Sequence, residues 1–387
     1  MAGWENAEKV MPIVPQSGAL ELPLQTSAAS FGATAQRVAL ISLRFKPAFV
    51  SLFVALAKAC LSVGVEVGFV LDPTYTSFQK FAALGPVSTY DQFEVPHAYT
   101  HAIFLNVSSR NLKLASSLKA SGAKLIYVYH EPWTSALDRF QTEGVRGGVS
   151  AYLAHLLSSR LLKLADTIVI PSQHGARIYE QSDLRYNRNY VSIPLLFDDE
   201  ADLASRTANK KYFSYIGAIC RGHGFNEFVD FVRYSFQKGL PLQFLIASAN
   251  LLPTPVRNDP LLREHRDQLV TFTGRPLQNE EINCCYAQSF CVWNLYHRST
   301  QSAVLPKAFM FGAPVLATPL GAFLEFVKDG SNGKFITSPG DKIAIAAAIQ
   351  EIQGNLSQYS ANARRDFLEN FHYKSHLPHL RLLLHGS

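Results

Sequence analysis

The chain has 387 residues, of which 48% are hydrophobic and 17% charged, with a formal net charge of +6. This composition is that of a globular protein and excludes a disordered chain, and the length exceeds that of one ordinary core, so we expect two domains. The positive charge favours an anionic partner such as a nucleotide or an anionic lipid, whereas no RNA-binding signature, zinc finger or run of basic residues indicates nucleic acid.

After a loose N-terminal arm, the first half of the sequence alternates between short apolar strands and helices. Residues 1–35 mix Pro, Ser, Ala and Gly without a period and predict the arm. From residue 37 the predicted strands are RVALISL, VEVGFVLD, HAIFLNV, AKLIYVYHEPW and TIVIPS, separated by the helices AFVSLFVALAKACLSVG, SRNLKLASSLKASG and YLAHLLSSRLLKLAD. Near-continuous apolar strands between helices predict a parallel sheet covered on both faces, here a Rossmann-like domain over residues 36–200.

A polar segment, EADLASRTANKK, separates this domain from a second one. It has no sustained apolar period and precedes a fresh strand, YFSYIGA, so we place a domain boundary near residue 200. The alternation then restarts and predicts a second Rossmann-like domain over residues 201–365. The predicted fold class is α/β, with two tandem doubly wound parallel-sheet domains. Such a pair binds a ligand in the crevice between the domains, at the carboxyl ends of the strands.

Four segments between residues 212 and 335 follow one another in an informative order. They are YIGAICRGHGFNEFVDF, VTFTGRPLQNEEINCCYAQSFCVWNLY, LPKAFMFGAPVLATPLGAFLEFV and KDGSNGKF. In this order they resemble the nucleotide-sugar domain of GT-B glycosyltransferases, in particular the retaining glycosyltransferase family 4, or glycosyl transferases group 1. The resemblance implies transfer of a hexose from a nucleoside diphosphate sugar to a glycan or lipid-linked acceptor, with no cofactor besides that substrate. It also implies that residues 366–387 form a helix that packs back on the first domain.

The predicted donor pocket combines a helix start with a glycine loop. Helix N-termini suit a diphosphate because they present unpaired N–H groups and a partial positive charge, although Ser and Thr also cap helices that bind nothing. The residues before the helix AVLPKAF are the predicted donor contacts: Ser299, Thr300, Gln301 and Ser302. Gly217 opens a loop in which the backbone can approach a phosphate. Arg221 and His223 in that loop are predicted to stabilise the departing diphosphate.

The sequence departs from the resembled family where that family carries two glutamates, one near the transferred sugar and one on the nucleotide ribose. The aligned residues are Ser299 and Lys307. Lys307 is predicted either to approach a phosphate or the ribose, or to point to solvent. In the glycine loop, Ala218 and His223 stand where an arginine and a lysine are usual. These losses leave open a catalytically silent nucleotide-sugar-binding or regulatory protein, and an epimerase on the same fold.

Further residues are candidates for contacts with the base, the sugar and the acceptor. Arg275 lies in the base-binding loop of the resembled family and predicts a base contact or a plain surface arginine. His130 and Glu131 end a buried strand, where the family has a histidine beside the transferred sugar. His130 would orient the sugar rather than abstract a proton, because the departing phosphate can accept it, although a lone histidine is more often structural. The family's glycine pair after the first strand is absent, so Arg44 and Lys46 there are candidates for an anionic acceptor only.

The sequence indicates neither a metal site nor a membrane span. No aspartate-x-aspartate pair stands in the donor loops, where helix dipoles and basic side chains can replace a metal, and FDD at residues 197–199 predicts a turn or cap. No apolar run of about 18 residues or secretory-signal layout occurs, so we expect a cytoplasmic protein. The helix YLAHLLSSRLLKLAD has apolar and basic faces that are compatible with peripheral contact at the inner face of a membrane. Internal packing predicts the same period and is the favoured alternative.

Overall fold

The computed structural model describes most of the chain. The described residues are 36–385, apart from 46–48, 78, 94–98, 131, 133–135, 183–188 and 203–208. The predicted arm over residues 1–35 lies outside them, as do two candidate site residues, Lys46 and Glu131.

Two parallel sheets organise the described residues. The first has seven strands in the order β3-β2-β1-β4-β5-β6-β7, and the second has six in the order β10-β9-β8-β11-β12-β13. The strands of the first sheet are β1 (Arg37–Ser42), β2 (Glu66–Leu71), β3 (Val87–Thr89), β4 (His101–Phe104), β5 (Lys124–Val128), β6 (Thr167–Ile170) and β7 (Tyr190–Ser192). Those of the second are β8 (Tyr212–Ile216), β9 (Gln243–Ala247), β10 (Leu269–Phe272), β11 (Ser289–Asn294), β12 (Val315–Ala317) and β13 (Gly333–Phe335).

Helices cover both sheets. Those up to residue 200 are α1 (Phe49–Ser62), α2 (Gln79–Ala82), α3 (Ser109–Ala120), α4 (Ala136–Leu164) and α5 (Gln173–Glu180). Beyond it are α6 (Phe225–Gln237), α7 (Thr254–Arg257), α8 (Pro260–Glu264), α9 (Asn279–Ala287), α10 (Val304–Met310), α11 (Phe323–Phe326), α12 (Lys342–Gly354), α13 (Leu356–Asn370) and α14 (Leu377–His385). Short 3-10 turns occupy Pro73–Ser77, Arg221–His223 and Tyr373–His376.

The strand orders confirm the predicted fold class. In each sheet the chain first moves outward from its opening strand, β1 or β8, and then returns to that strand's other side. This reversal defines a doubly wound sheet, and it leaves a crevice at the carboxyl ends of the strands next to the opening one. The opening strands are buried on both faces, which explains their continuous apolar sequences.

The link between the two sheets is held by ion pairs of three consecutive acidic residues. Asp198 pairs with Lys58 of α1, Asp199 with Arg364 of α13, and Glu200 with Lys307 of α10. Asp199 also accepts the amide of Ala201 at 3.1 Å, which is the turn contact that the sequence predicts. The prediction of a turn or cap alone was incomplete, because these carboxylates also tie the link to helices that pack on different sheets.

The end of the chain returns to the first sheet. The backbone of Phe197 in the link pairs with this returning segment, since its amide donates to the Phe371 carbonyl at 2.8 Å. Helix α14 then contacts α1, with Leu380 and Leu384 almost fully buried. Beyond them, His385 Nε2 lies 3.1 Å from the carbonyl oxygen of Val63, just after α1. Helix α14 therefore adds apolar burial to the first domain from the far end of the chain.

Candidate functional site

The glycine loop after β8 lies against the start of α10. Gly217 has a φ of +130°, which side chains larger than hydrogen rarely allow. A Cβ built on it would lie 3.5 Å from Val304 Cγ2, at the first residue of α10. Two elements predicted from separate stretches of the sequence therefore meet at the carboxyl edge of the second sheet. This edge is where a doubly wound domain binds its ligand.

Of the residues before α10, one caps the helix and another contacts the first domain. Ser302 Oγ accepts from the amides of Val304 at 3.2 Å and Leu305 at 3.4 Å, so this side chain caps the helix. Thr300 is buried, and its carbonyl oxygen accepts from Ser172 Oγ of the first domain at 2.7 Å. Ser299 is buried as well, and its backbone packs on Gly321. A Cβ added to Gly321 would lie only 1.6 Å from the carbonyl oxygen of Ser299. The segment 299–302 is thus held by contacts with the first domain, with α10 and with Gly321.

The basic residues of the glycine loop occupy the 3-10 turn after β8. Arg221 is exposed there. The His223 ring stacks on Tyr296 with centroids 4.3 Å apart, and its Nδ1 lies 3.3 Å from the carbonyl oxygen of Ala218. Gly224 closes the turn at a φ of +68°, and a Cβ there would lie 2.3 Å from the Leu295 carbonyl oxygen. This tight packing fixes the turn that carries Arg221.

Lys307 lies in a buried polar cluster rather than in solvent. Its Nζ is 2.8 Å from Glu200 Oε2, 2.9 Å from Asn283 Oδ1 and 3.4 Å from Asn279 Oδ1. An ammonium group has three N–H donors, and these three partners take them all. Of the two alternatives for Lys307, the solvent-facing one is therefore wrong, and a phosphate contact would require Lys307 to give up one of these hydrogen bonds.

The same cluster fixes the charge of Glu200. Its Oε2 accepts from Asn279 Nδ2 at 2.5 Å and from Asn283 Nδ2 at 2.7 Å. Burial alone would raise the pKa of Glu200, but the Lys307 charge and these hydrogen bonds outweigh it and lower the pKa to about 2. Burial lowers the pKa of Lys307, and the Glu200 carboxylate opposes that shift. The cluster reaches the first domain, because Ser51 Oγ of α1 donates to Asn279 Oδ1 at 3.3 Å.

Arg275 forms a surface ion pair at the start of α9. Its guanidinium donates to the two carboxylate oxygens of Glu281 at 2.8 and 2.5 Å, and 56% of its side chain is exposed. Glu281 also accepts the amide of Gln278 at 2.7 Å as part of a capping box. The hydrogen bonds from Arg275 lower the pKa of Glu281. The structure thus gives Arg275 a local role beside the predicted base loop.

The first domain presents His130 and Arg44 at the carboxyl edge of its own sheet. His130 follows β5, and its ring stacks on Phe49, the first residue of α1, with centroids 5.0 Å apart. Arg44 follows β1 with an exposed side chain, while its carbonyl oxygen accepts from the buried Asn106 at 2.9 Å. Since β1 and β5 both border β4, the two residues follow strands that are separated by one strand.

Hydrogen bonds of Glu325 between the two domains were not predicted from the sequence. Glu325 of α11 accepts from the amides of Gln173 at 2.9 Å and His174 at 2.6 Å, at the start of α5 in the first domain. A carboxylate at a helix N-terminus is favoured by the free amides and by the helix dipole. Ser172 could have been predicted as the cap of α5, but no local pattern identifies Glu325 as its partner.

Asn294 is a second residue that the sequence analysis missed. It ends β11, is 0% exposed, and among the described residues neither its Oδ1 nor its Nδ2 has a hydrogen-bond partner. The indole of the preceding Trp293 packs against Gly224 and Phe228, so strand alternation directs Asn294 to the opposite face of the sheet. Gln301 Oε1, just before α10, is likewise buried without a partner in the described chain. The sequence signal that could have predicted Asn294 as a site residue is a polar residue at the end of an apolar strand.

The described residues contain neither a metal-binding cluster nor a membrane-spanning helix. Their His, Cys, Asp and Glu side chains form no group of three or more that could hold a metal ion. None of the helices described here combines the length and the apolar character needed to cross a bilayer.

Comparisons with known proteins show similarities of the second domain and of the whole fold. Residues 210–355 match the family model described as Glycosyl transferases group 1. No curated protein matches the chain. Two solved structures cover nearly the whole chain: the Anabaena protein HepE in complex with UDP-glucose, and sucrose-phosphate synthase from Thermosynechococcus elongatus.

Both likenesses extend over the two domains. HepE is 16% identical, with 92% of this chain and 100% of HepE covered at a TM-score of 0.67. The synthase is also 16% identical, with 91% of this chain and 100% of the synthase covered at a TM-score of 0.69. At such identities the likeness shows the fold. The predicted resemblance is confirmed: residues 210–355 match the glycosyl transferases group 1 model, and the chain has the GT-B fold.

Proposed function

We propose that this protein transfers a hexose from a nucleoside diphosphate sugar to a glycan or lipid-linked acceptor, with retention of configuration and without a resident metal or cofactor. One observation carries the proposal: the Gly217 loop meets the start of α10 at the carboxyl edge of the second sheet, within the residues that match the glycosyl transferases group 1 model. Two of the similar structures contain UDP or UDP-glucose bound to HepE, so UDP-glucose is the first donor to test.

The leaving diphosphate needs positive potential, which the second domain can supply. The Ser302 hydroxyl already accepts from the first two amides of α10, so the charge of Arg221 and the open backbone at Gly217 become more important for the phosphates. Arg221 is exposed on a turn that Gly224 packing holds in place. A fixed donor of this kind stabilises charge as it develops, without reorganisation during the reaction.

The buried amide of Asn294 supports a contact with the transferred sugar. An amide with both its donor and its acceptor unpaired suits a hydroxyl group, which can accept one hydrogen bond and donate another. Asn294 lies on the sheet face opposite Trp293, at the end of the strand that leads into the Ser299 loop. We assign to Asn294 and Gln301 the hydrogen bonding that the family's absent first glutamate would provide.

His130 of the first domain would hydrogen-bond to the sugar from the other side of the crevice. In a retaining reaction the departing phosphate can accept the proton of the acceptor hydroxyl, so no strong base is needed. Stacking on Phe49 holds the imidazole in one orientation, which suits this positioning role. Arg44, exposed at the end of β1 on the same edge of the sheet, would then contact an anionic acceptor.

The alternative is a silent GT-B protein that binds a nucleotide sugar or regulates a partner. Its motivation is specific: neither family glutamate is present, and Lys307 at the second position is engaged by Glu200. A nucleotide-release assay with pooled nucleoside diphosphate sugars separates the two proposals. Steady release of the diphosphate in the presence of acceptor would support the transferase, whereas binding in a thermal-shift screen without any turnover would support the silent protein.

A further inference from the structure

Asn250 lies in the loop after β9, between the glycine loop (residues 217–224) and the predicted base loop (residues 273–275). In the second sheet β9 is the neighbour of both β8 and β10. The three strands are parallel, so the loops that follow them leave the same carboxyl edge side by side, with the β9 loop in the middle. The β9 loop is therefore placed to fix the spacing between the other two.

The side chain of Asn250 holds the glycine loop. Its Oδ1 accepts from the amide of Ile219 at 3.0 Å, two residues before Arg221, the predicted phosphate contact. The Asn250 side chain is itself fixed by the buried Ser248. The Ser248 hydroxyl donates to Asn250 Oδ1 at 3.3 Å and accepts from the Asn250 amide at 3.1 Å. The oxygen that faces the glycine loop is thus held in one orientation.

The backbone of the same residue holds the base loop. The carbonyl oxygen of Asn250 accepts from the amide of Gly274 at 3.1 Å. Gly274 has a φ of +86°, and a Cβ there would lie 3.1 Å from Leu251 Cδ1, so the base loop packs closely on the β9 loop. Arg275, the candidate base contact, follows directly. One residue therefore joins both loops, through its side chain on one side and through its backbone on the other.

We propose that Asn250 is a positioning residue that sets the distance between the diphosphate and base subsites. The inference rests on the proposed function, which places the leaving diphosphate at the glycine loop. Strands β8 and β10 are two strand spacings apart, or about 10 Å. A nucleoside or a diphosphate alone contacts one loop, whereas a nucleoside diphosphate has to contact both at once. The second contact is then intramolecular, and the affinity gained in this way depends on the spacing of the two loops being fixed in advance.

The test compares a whole ligand with its parts. Asn250→Ala removes the hydrogen bond to Ile219 and keeps the backbone hydrogen bond to Gly274, so the glycine loop loses its fixed distance from the base loop. UDP, ADP and GDP are titrated first, and the one that binds the wild type most tightly is compared with its nucleoside and with pyrophosphate. In Asn250→Ala the Kd of the nucleoside diphosphate should rise at least about tenfold, whereas the Kd values of the nucleoside and of pyrophosphate should each change less than about threefold.

The matched control is Asn258→Ala. Asn258 is an exposed asparagine between α7 and α8 in the same domain, and its Oδ1 accepts from Arg263 at 2.7 Å. The control therefore removes a side-chain hydrogen bond of the same kind at a distance from both loops. All three Kd values should equal those of the wild type.

Hydrogen exchange tests the Asn250 contact without any ligand. The amide of Ile219 should exchange at least about tenfold faster in Asn250→Ala than in the wild type. Asn250→Asp keeps a side-chain oxygen as acceptor and should restore slow exchange of this amide. Unchanged exchange of Ile219 in Asn250→Ala would overturn the inference, because the side chain would then not hold the glycine loop.

The affinities decide between positioning and a general structural role. Equal weakening of the nucleoside, of pyrophosphate and of the nucleoside diphosphate in Asn250→Ala would show a structural role and overturn the inference. Sugar transfer with an unchanged nucleoside diphosphate affinity in this variant would overturn the inference and leave the proposed function intact. Selective loss of that affinity in a protein whose wild type transfers no sugar would overturn the proposed transferase and leave the inference intact. Binding of none of the three nucleoside diphosphates by the wild type would overturn both.

Discussion

The Lys307 ammonium lies 2.8 Å from the Glu200 carboxylate and thereby joins α10 of the second domain to the link between the domains. Both side chains are largely buried, with 9% and 17% exposed. In the resembled family the position of Lys307 carries a glutamate that binds the ribose. Here a charge of the opposite sign is neutralised by Glu200 of the link, so Lys307 makes a structural contact in the free protein.

We expect Glu200→Gln to destabilise the protein by about 3–5 kcal/mol at pH 7, because it leaves the buried Lys307 charge without its partner. Chemical denaturation of the variant and the wild type measures this difference. Glu280→Gln is the control, since the Lys80–Glu280 pair is exposed on both sides and such pairs contribute about 0–1 kcal/mol. Equal losses of unfolding free energy in the two variants would show that the buried pair stabilises the protein no more than the exposed pair does.

The same pair predicts a pH dependence. The folded pKa of Glu200 is lowered from 4.5 to about 2, so its contribution is fully present above about pH 4.5 and is lost as the pH falls through about 2. The difference in unfolding free energy between the wild type and Glu200→Gln should therefore shrink over that range. A difference that stays constant from pH 6 to pH 3 would contradict the ion pair.

Arg221→Ala should weaken donor binding about 10- to 100-fold, which is the usual range for a hydrogen bond to a charged group. The reason is that Ala218 stands where the family has an arginine, which leaves Arg221 as the permanent charge of this loop. Titration with UDP and with UDP-glucose measures the effect. Arg266→Ala removes an exposed arginine between α8 and β10 and should change nothing. Unchanged affinity of Arg221→Ala for every donor tested would refute the assignment.

Sequence reasoning predicted the sheets better than the site, for a physical reason in each case. The missed β3, β7 and β13 have three residues each and carry too short an apolar run to reveal a period. The glycine loop and the start of α10 could be predicted because local backbone chemistry marks both. The Glu200–Lys307 pair could not, since 107 residues separate the partners and only the course of the link brings them together.

His130→Ala should lower kcat about 10²-fold, with a much smaller loss of nucleotide affinity, because the residue belongs to the first domain and would contact the sugar. Steady-state kinetics and nucleotide titration separate the two quantities. Phe49→Leu removes the ring that His130 stacks on and keeps the imidazole. A similar loss in both variants would mean that His130 acts by packing, and a parallel fall in nucleotide affinity would mean that it is structural.

Asn294→Leu should change stability and activity in opposite directions. Removing a buried amide that lacks partners should stabilise the fold by about 1–3 kcal/mol, while kcat/KM should fall at least about tenfold if the amide binds the sugar. Asn332→Leu is the matched control. Asn332 is also 0% exposed, but its Nδ2 donates to Phe326 O at 2.9 Å and to Asp366 at 2.7 Å, so its loss should destabilise. A less stable Asn294→Leu would show that the amide is satisfied in the free protein.

Deleting residues from Leu377 onward should destabilise the first domain although these residues end the chain. Leu380 and Leu383 of α14 line a small apolar cavity together with Leu52 and Leu56 of α1, so the deletion uncovers α1. Hydrogen exchange should then show new exposure in α1 and in the strands beneath it. Loss of protection confined to residues beyond 200 would mean that α14 stabilises only its own domain.

A pair of leucine substitutions makes the same test without truncating the chain. Leu380→Ala should cost about 2–5 kcal/mol because the side chain is 2% exposed, and it should loosen α1 in the same hydrogen-exchange measurement. Leu382→Ala changes a side chain that is 58% exposed on the same helix and should leave α1 protected. Both substitutions replace a leucine of α14 by alanine, so they lower the hydrophobicity of this helix equally. A difference between the variants in the hydrogen exchange of α1 can therefore come only from the contact that Leu380 makes with the first domain. Equal behaviour of the two variants would show that α14 acts through helix formation alone.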